Sequence, residues 1–418
     1  QGFYDTAMDF SLSQLNDKRA VFQYLESSRA RSLFDLISAD RVVLENKAEM
    51  DVLIRSVSTP FTLEQTQRGL PPDTQLLAYA VLEDKLLICR VTHDDYDVIP
   101  VPVGREALAT LADEFRRAMI NKGDNVTELA RRIHDLLIAP VESTLPSKKH
   151  IVVIPDKMLT QTPFQALMSR AAGKYVMEQY DLMLAPSATI FLQCTENAKK
   201  RAAKVERLFA VGNPVFDSGR YKLPALPKAA EEVQAIARLY QGVPSIALTG
   251  PDARKEAVIQ RLPEADVAHL ATHYVTADRA PLRSRLLLAR AASPDAGEDT
   301  DVLRADQIYR LSLKRTRLVV LSACDSGVEG YINGEGMQGL SRVFLAAGVP
   351  LVIGSQWLAD SAATSDLMIA FHKYRKEGGL KTGAALRRAQ LDLYLNRPEY
   401  RHPYYWANFS LIGGRADY

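Results

Sequence analysis

Apolar positions along this chain change their period as the sequence proceeds. From about Asp5 to Arg55 there is no Gly or Pro, and Phe22, Leu25, Leu33 and Ile37 fall at helical spacing within "AVFQYLESSRARSLFDLI". Two or three helices are predicted there. "STPFTLEQTQRGLPPDT", with Pro60, Gly69, Pro71 and Pro72, reads as a linker. The period then shortens. "QLLAYAVLEDKLLICRVT" predicts two strands about a Glu83-Asp84 turn, and "DYDVIPVPV" a third. Helices near Arg105–Ile120 and Asn125–Leu137, a strand "HIVVIPD", a strand at Leu182–Ala185 and a short helix "SATIFLQCTEN" complete a first alternation of strand and helix.

A second alternation begins at "LFAVGNP". Its predicted strands are Leu208–Val211, "SIALTG", "VAHLATH", "SRLLLA", "RLVVLSA" and "PLVIGSQW". Helices are expected near Ala229–Leu239, Lys255–Leu262, Ala305–Arg310, Met337–Ala346, Ser361–Lys376 and Lys381–Leu395, with an acidic, flexible loop at Arg290–Asp301. The expected fold class is α/β: two α/β lobes, 75–203 and 205–418, behind a short all-α segment, 1–58. No internal repeat at a fixed period is visible.

Composition narrows the function. The chain has 418 residues, 47% of them hydrophobic, which is ample for packed cores and argues against disorder. Lys+Arg 52 against Asp+Glu 50 leaves a net charge of +2, which argues against direct nucleic-acid binding by bulk charge. The strongest basic run, "AKKRAAKVER", reads as a solvated helix face or an inter-domain linker. Cys89, Cys194 and Cys324 are too few and too scattered for a disulfide framework or a thiolate metal site, so no metal or cofactor is expected. Free thiols fit a reducing cytoplasm. No signal peptide and no apolar run of membrane length is present, and a start at Gln1 suggests a piece of a longer chain.

The chemistry concentrates at two strand ends. "VAHLATHY" carries His273 at its exit, and "RLVVLSAC" carries Cys324 at its exit, 51 residues later. In open parallel sheets the C-terminal strand ends form the ligand crevice, so groups there converge from neighbouring strands. A thiolate is a nucleophile, and an imidazole beside it handles the proton. A lone cysteine in an α/β core is most often inert packing. His273 at that spacing, and the Asp325-Ser326-Gly327 turn, tip the balance toward function. His269, four residues before His273, is expected to support the site rather than react. "GEGMQG" (Gly334–Gly339) matches G-x-G-x-x-G literally, but no strand precedes it, so a dinucleotide site fails on context.

"HLATHY", "LVVLSACDSG", "GEGMQGLSRVFLAAGVPLVIGSQW" and "HPYYWANFSLIGG" resemble, in order and spacing, the CHAT family. These are caspase-like peptidases of the caspase–separase clan, often found behind tetratricopeptide repeats. "IVVIPDKMLTQTPFQAL", "LPALPKAAEEVQAIA" and "YLESSRARSLFDLI" are similar to further family segments, the last to the helix that closes the repeat array.

The resemblance implies a caspase-like sheet flanked by helices, with a non-catalytic first lobe. It implies a cysteine endopeptidase acting on a protein substrate through a His273/Cys324 dyad and an acyl-enzyme. The oxyanion would be held by the backbone N–H groups of Tyr274 and Cys324. One departure stands out, because the family usually has Gly where this chain has Tyr274. A Cβ and a phenol then crowd that position. Tyr274 thus motivates the alternative of a weak or inactive scaffold that keeps the fold. Substrate-pocket candidates are Asp325, Gln356, Trp357, Asp360 and Asp366, since in relatives that cleave after Arg an acidic residue beyond the Trp-containing strand binds the cation. Asp360 is also well placed as an ordinary helix cap. His269 and Glu335 are candidates for ordering the site. The aromatic set Tyr404, Tyr405, Trp406 and Phe409 is expected to pack the core or wall the cleft. Family context further implies control by a regulatory protein or complex acting through the helical N-terminal segment, in bacterial regulatory or defence systems.

Overall fold

The computed structural model describes residues 2–39, 60–145, 149–201, 205–275, 283–290, 300–322, 339–357 and 360–416. The chain divides into two compact units, one lying within Gln1–Gln193 and one starting at Cys194. Among the described residues no helix is long and apolar enough to cross a membrane.

The first unit opens with α1 (Gly2–Ser13) and α2 (Lys18–Ala39). Met8, Val21, Phe22 and Leu25 are buried between these helices and their surroundings, as the helical spacing predicted. Leu33 and Ile37 belong to the same stripe, but their side chains, and residues 40–59, lie outside the described residues. The expected linker contains a helix instead, α3 (Leu63–Gly69). Its prolines flank a seven-residue helix rather than interrupt it, and Gly69 is the helix's last residue. Thr62 and Gln65 form a reciprocal capping box, and Leu63 and Leu70 are buried.

The sheet of this unit runs in the order β3-β2-β1-β4-β5. Its strands are β1 (Thr74–Val81), β2 (Leu86–Val91), β3 (Tyr96–Val101), β4 (Lys149–Ile154) and β5 (Tyr180–Leu184). Strands β1 to β3 form an antiparallel meander, whereas β1, β4 and β5 are parallel. Every residue of β1 is buried, which is what a strand covered on both faces requires. Helices α4 (Arg105–Ile120) and α5 (Val126–Leu137) supply cover through Leu108, Phe115, Met119, Ile133 and Leu137. A further helix, α6 (Ala188–Lys199), follows β5.

The main-sheet strands of the second unit run in the order β14-β13-β12-β8-β6-β7. Its elements are β6 (Leu208–Pro214), α7 (Pro227–Leu239), β7 (Ser245–Gly250), α8 (Lys255–Arg261) and β8 (Val267–Ala271), followed by β9 (Tyr274–Val275), β10 (Arg285–Leu287), β11 (Val302–Arg304) and α9 (Ala305–Tyr309). Then come β12 (Leu318–Leu321), α10 (Leu340–Ala346), β13 (Leu351–Ser355), α11 (Ser361–Lys376), α12 (Thr382–Asn396) and β14 (Phe409–Gly413). Strands β7, β6, β8, β12 and β13 are parallel, and β14 closes antiparallel on β13.

Two differences from the sequence reading matter here. "SRLLLA" forms a strand, but as β10 it joins β9 and β11 in a small three-stranded sheet outside the main one. "FSLIG", read only as aromatic packing, is the strand β14. Ser410 and Gly413 leave only Phe409, Leu411 and Ile412 apolar, so it lacks the continuous apolar run of its neighbours. Helix α7 lies close on β6: a Cβ at Gly212 would meet the Ala229 carbonyl oxygen at 2.4 Å. That approach fixes the helix carrying Glu232 over the strand ends.

Candidate functional site

Strands β8 and β12 are neighbours, and their register sets the site. Leu318 pairs with Val267, Val319 with Ala268, Val320 with His269 and Leu321 with Leu270, each couple 51 residues apart. That offset equals the sequence separation of His273 and Cys324. Cys324 itself lies outside the described residues, as do Asp325, Glu335 and most of Gly334–Gly339; the last described residue before it is Ser322.

His273 follows β8 and is 6% exposed. Its backbone is tied to the small sheet, because Leu287 N donates to the His273 carbonyl at 2.9 Å and Thr272 Oγ1 donates to the Leu287 carbonyl. Its Nε2 lies 2.8 Å from the Pro224 carbonyl oxygen. A carbonyl only accepts, so Nε2 carries the hydrogen and Nδ1 is left as the basic nitrogen. Phe216 stands edge-on to the ring, centroids 5.4 Å apart.

The loop bearing Pro224 is held in turn by Asn213. This residue sits in the left-handed region (φ 46°), where Asn is tolerated, and its Oδ1 accepts from Leu226 N at 2.7 Å. "LPALP" therefore supplies a carbonyl, a role that no side-chain motif announces.

Beside His273 and Ser322 is a cavity of about 140 Å³. Its walls include Leu226, Pro227, Trp357 and Phe409, and its polar lining includes Glu232, Thr272, Ser322 and Asn408. Asn408 Oδ1 accepts from Gln356 N and Trp357 N, both at 2.8 Å, while Trp357 Nε1 donates to the Tyr404 carbonyl at 3.2 Å. The buried Ser322 Oγ and Asn408 Nδ2 have no hydrogen-bond partner among the described residues.

Behind the cavity runs a buried polar chain. Glu232, 2% exposed, takes His269 Nε2 at 2.6 Å. His269 Nδ1 meets His372 Nε2 at 3.2 Å, and His372 Nδ1 meets the Tyr240 hydroxyl at 3.2 Å. Arg375 donates to that hydroxyl and, at 2.6 Å, to Glu206, which also pairs with Arg317. Burial pushes His372 well below the ordinary imidazole value, with His269 beside it acting in the same direction. Burial pushes the Tyr240 hydroxyl up.

The remaining candidates are placed as follows. Tyr274 is buried, opposite Leu286 in the small sheet, and is not among the cavity-lining residues. Gln356 is buried behind Trp357. Asp360 caps α11, accepting from Ala362 N and Ala363 N at 3.0 Å. Asp366 is half exposed on that helix, 3.9 Å from Arg397. Trp406 is core, Phe409 lines the cavity, and Tyr404 and Tyr405 pack edge to face. No cluster of metal-ligating side chains occurs among the described residues. Pro224, Glu232, His372 and Asn408 were absent from the sequence-based set. Pro224 and Glu232 lie in the "LPALPKAAEEVQAIA" segment and Asn408 in "HPYYWANFSLIGG", so only His372 had no signal at all.

The family profile of the CHAT domain matches residues 127–414. Tetratricopeptide repeat protein 28 of Homo sapiens is 26% identical over 325 residues, and that of Mus musculus 28% identical over 330. Each match takes in 68% of this chain, which spans only 13% of the length of those relatives. Among solved structures, Saccharomyces cerevisiae separase in its complex with securin is similar at TM-score 0.62 and 10% identity, over 99% of this chain and 36% of that one. The fold is a caspase-like α/β sheet flanked by helices.

Proposed function

Because this chain belongs to the CHAT domain family, we propose that it is a cysteine endopeptidase working through His273 and Cys324. One observation carries the reading: the β8/β12 offset of 51 is also the separation of these two residues. Cys324 is two residues beyond Ser322, so its Cα is within about 7.6 Å of that residue's Cα by chain length alone.

The proton inventory then follows from the Pro224 contact. His273 keeps its hydrogen on Nε2, donated to Pro224, and Nδ1 takes the proton of the Cys324 thiol. The thiolate sulfur attacks the scissile carbonyl carbon, and backbone N–H groups, by family analogy those of Tyr274 and Cys324, hold the oxyanion. The C–N bond breaks, and the imidazolium returns its proton to the leaving amine. Water, losing a proton to Nδ1, attacks the thioester; the sulfur leaves and is reprotonated. Control through α1 and α2 by a regulatory protein belongs to the same proposal.

The test is cleavage of partner proteins by the full-length protein and by its Cys324→Ala and His273→Ala variants. Both variants should lose cleavage by at least about 10³-fold. Persistent cleavage in either sinks the dyad. An electrophilic thiol probe that fails to label Cys324 in the partner-bound protein favours the scaffold reading that Tyr274 motivates.

A further inference from the structure

We infer that the cavity beside His273 is the pocket for the substrate residue whose carbonyl is attacked, and that it is built for a carboxamide side chain, Gln or Asn. The inference rests on the peptidase reading and goes beyond it by naming the substrate class. Thr272, next to His273, and Ser322, two residues before Cys324, line the cavity, so a side chain entering it leaves its own carbonyl near the reacting groups.

Two polar groups in this lining have fixed hydrogen-bonding sense. Asn408 cannot turn its amide, because Oδ1 is held by two backbone N–H groups. Its Nδ2, buried and without a partner among the described residues, is therefore a donor.

Glu232 is fixed by the chain behind it. Arg375 can only donate, so Tyr240 accepts from it, which leaves the phenol hydrogen available to His372 Nδ1. His372 Nε2 then donates to His269 Nδ1, and His269 Nε2 donates to Glu232. Each link points toward the cavity, and Glu232 meets it as an acceptor with one oxygen taken by His269.

A donor and an acceptor in one small cavity select among side chains by what each leaves unmade. An ammonium or guanidinium carries donors only and sets N–H against the Asn408 N–H. A carboxylate carries acceptors only and meets Glu232, and the Lys228 ammonium in the lining is already paired with Glu231 at 2.7 Å. An aliphatic chain leaves both bonds unmade. A carboxamide gives its oxygen to Asn408 and its N–H to Glu232, while its methylene stem lies against Leu226, Trp357 and Phe409. Of the three aspartates proposed from sequence for a cationic substrate, Asp360 is engaged as a helix cap and Asp366 lies near Arg397, while Asp325 is outside the described residues.

The experiment presents the full-length protein with peptides identical except at the residue before the scissile bond: Gln, Asn, Arg, Lys, Glu, Met or Leu. Gln or Asn should exceed Leu in kcat/KM by about 100-fold or more, since a site built to hydrogen-bond rejects what cannot. Asn408→Asp keeps the acceptor for the two backbone N–H groups but replaces the donor, and should move the preference to Lys and Arg. Fastest cleavage after Arg or Lys in the wild type, or an unchanged preference in Asn408→Asp, overturns the pocket assignment. The same peptides titrated calorimetrically into Cys324→Ala separate the two readings. Gln-selective binding without any turnover in the wild type overturns the peptidase alone, turnover without Gln or Asn preference overturns the pocket alone, and binding indifferent to the side chain overturns the pocket whatever the turnover.

Discussion

Both units end parallel strands at a place where an α/β fold puts its crevice, and they treat that place in opposite ways. In the first unit the ends of β1 and β4 are filled with charge. Asp156, 3% exposed, accepts from Val81 N at 2.7 Å and pairs with Arg29 of α2 at 3.1 Å, while Arg29 also donates to the Tyr79 carbonyl. Lys157, held in the left-handed region (φ 49°), donates to the Val81 carbonyl and pairs with Asp5 of α1 at 2.8 Å. Glu26, also on α2, caps α6 by accepting from Ala188 N, Thr189 N and Thr189 Oγ1. In the second unit the ends of β8, β12 and β13 instead line a cavity with a buried donor left over. A crevice becomes either a site or a socket. Here the socket takes the helical segment, and its cost is the desolvation of several charges that only good geometry offsets.

The comparison breaks first at the dyad. Cys324→Ala should abolish turnover, by about 10³-fold or more, and leave the stability of both units within about 0.5 kcal/mol. A large loss of stability there would mean that Cys324 packs rather than reacts. Next comes Asp156→Ala. It strands Arg29 and the Val81 N–H in a dry place, so the first unit should lose about 3–5 kcal/mol. Ser322→Ala at the strand end of the second unit removes a hydroxyl with no described partner and should change stability by under about 0.5 kcal/mol. Urea unfolding followed by hydrogen exchange in each unit measures both. Equal losses at the two places would erase the distinction between socket and site.

The socket was not legible in the sequence, and the reason is physical. Asp5, Glu26, Arg29, Asp156 and Lys157 look like an ordinary solvated complement of charges, and only the pairing of distant segments buries them. The strand exits toward His273 and Cys324 were legible because a strand end with turn residues is a local pattern, and the 51-residue offset of β8 and β12 matches the separation of the two residues. The strands and most helices followed from period alone. Helix α3 was missed because flanking prolines outweighed a capping box, and β14 because small residues dilute its apolar run. Asn408 and Pro224 act through an amide with one end already committed and a backbone carbonyl, and neither role leaves a signature.

A smaller difference concerns acid. In the second unit, folding holds His372 well below its ordinary value through burial. Below about pH 6.5 the unfolded chain takes up a proton that the folded state refuses, so stability falls with decreasing pH, by about 1.4 kcal/mol per pH unit for one proton. His372→Gln should flatten that slope by one proton between pH 6.5 and 5, read from urea midpoints. In the first unit burial raises Glu26 above the ordinary carboxylate value. Its contribution has the opposite sign: it is present at low pH and is lost as pH rises through the folded value. An unchanged slope in His372→Gln would show that the buried chain behind the cavity titrates elsewhere.

A last effect tests whether every buried imidazole here is engaged. His134, in α5 of the first unit, is 1% exposed, and neither ring nitrogen has a hydrogen-bond partner among the described residues. Its nearest described carboxylate is Glu142, with Nε2 3.8 Å away. Burial lowers its pKa, against the pull of Glu142 and Asp135. His372 sits within a chain of donors and acceptors, whereas His134 keeps only the desolvation cost of a polar ring. His134→Leu should therefore leave the first unit as stable or more stable by up to about 1 kcal/mol at pH 7. The gain should widen below about pH 6.5, because the variant no longer refuses a proton that the unfolded chain accepts. A loss of more than about 1 kcal/mol at pH 7 would place His134 with His372 among the imidazoles that hold their unit together.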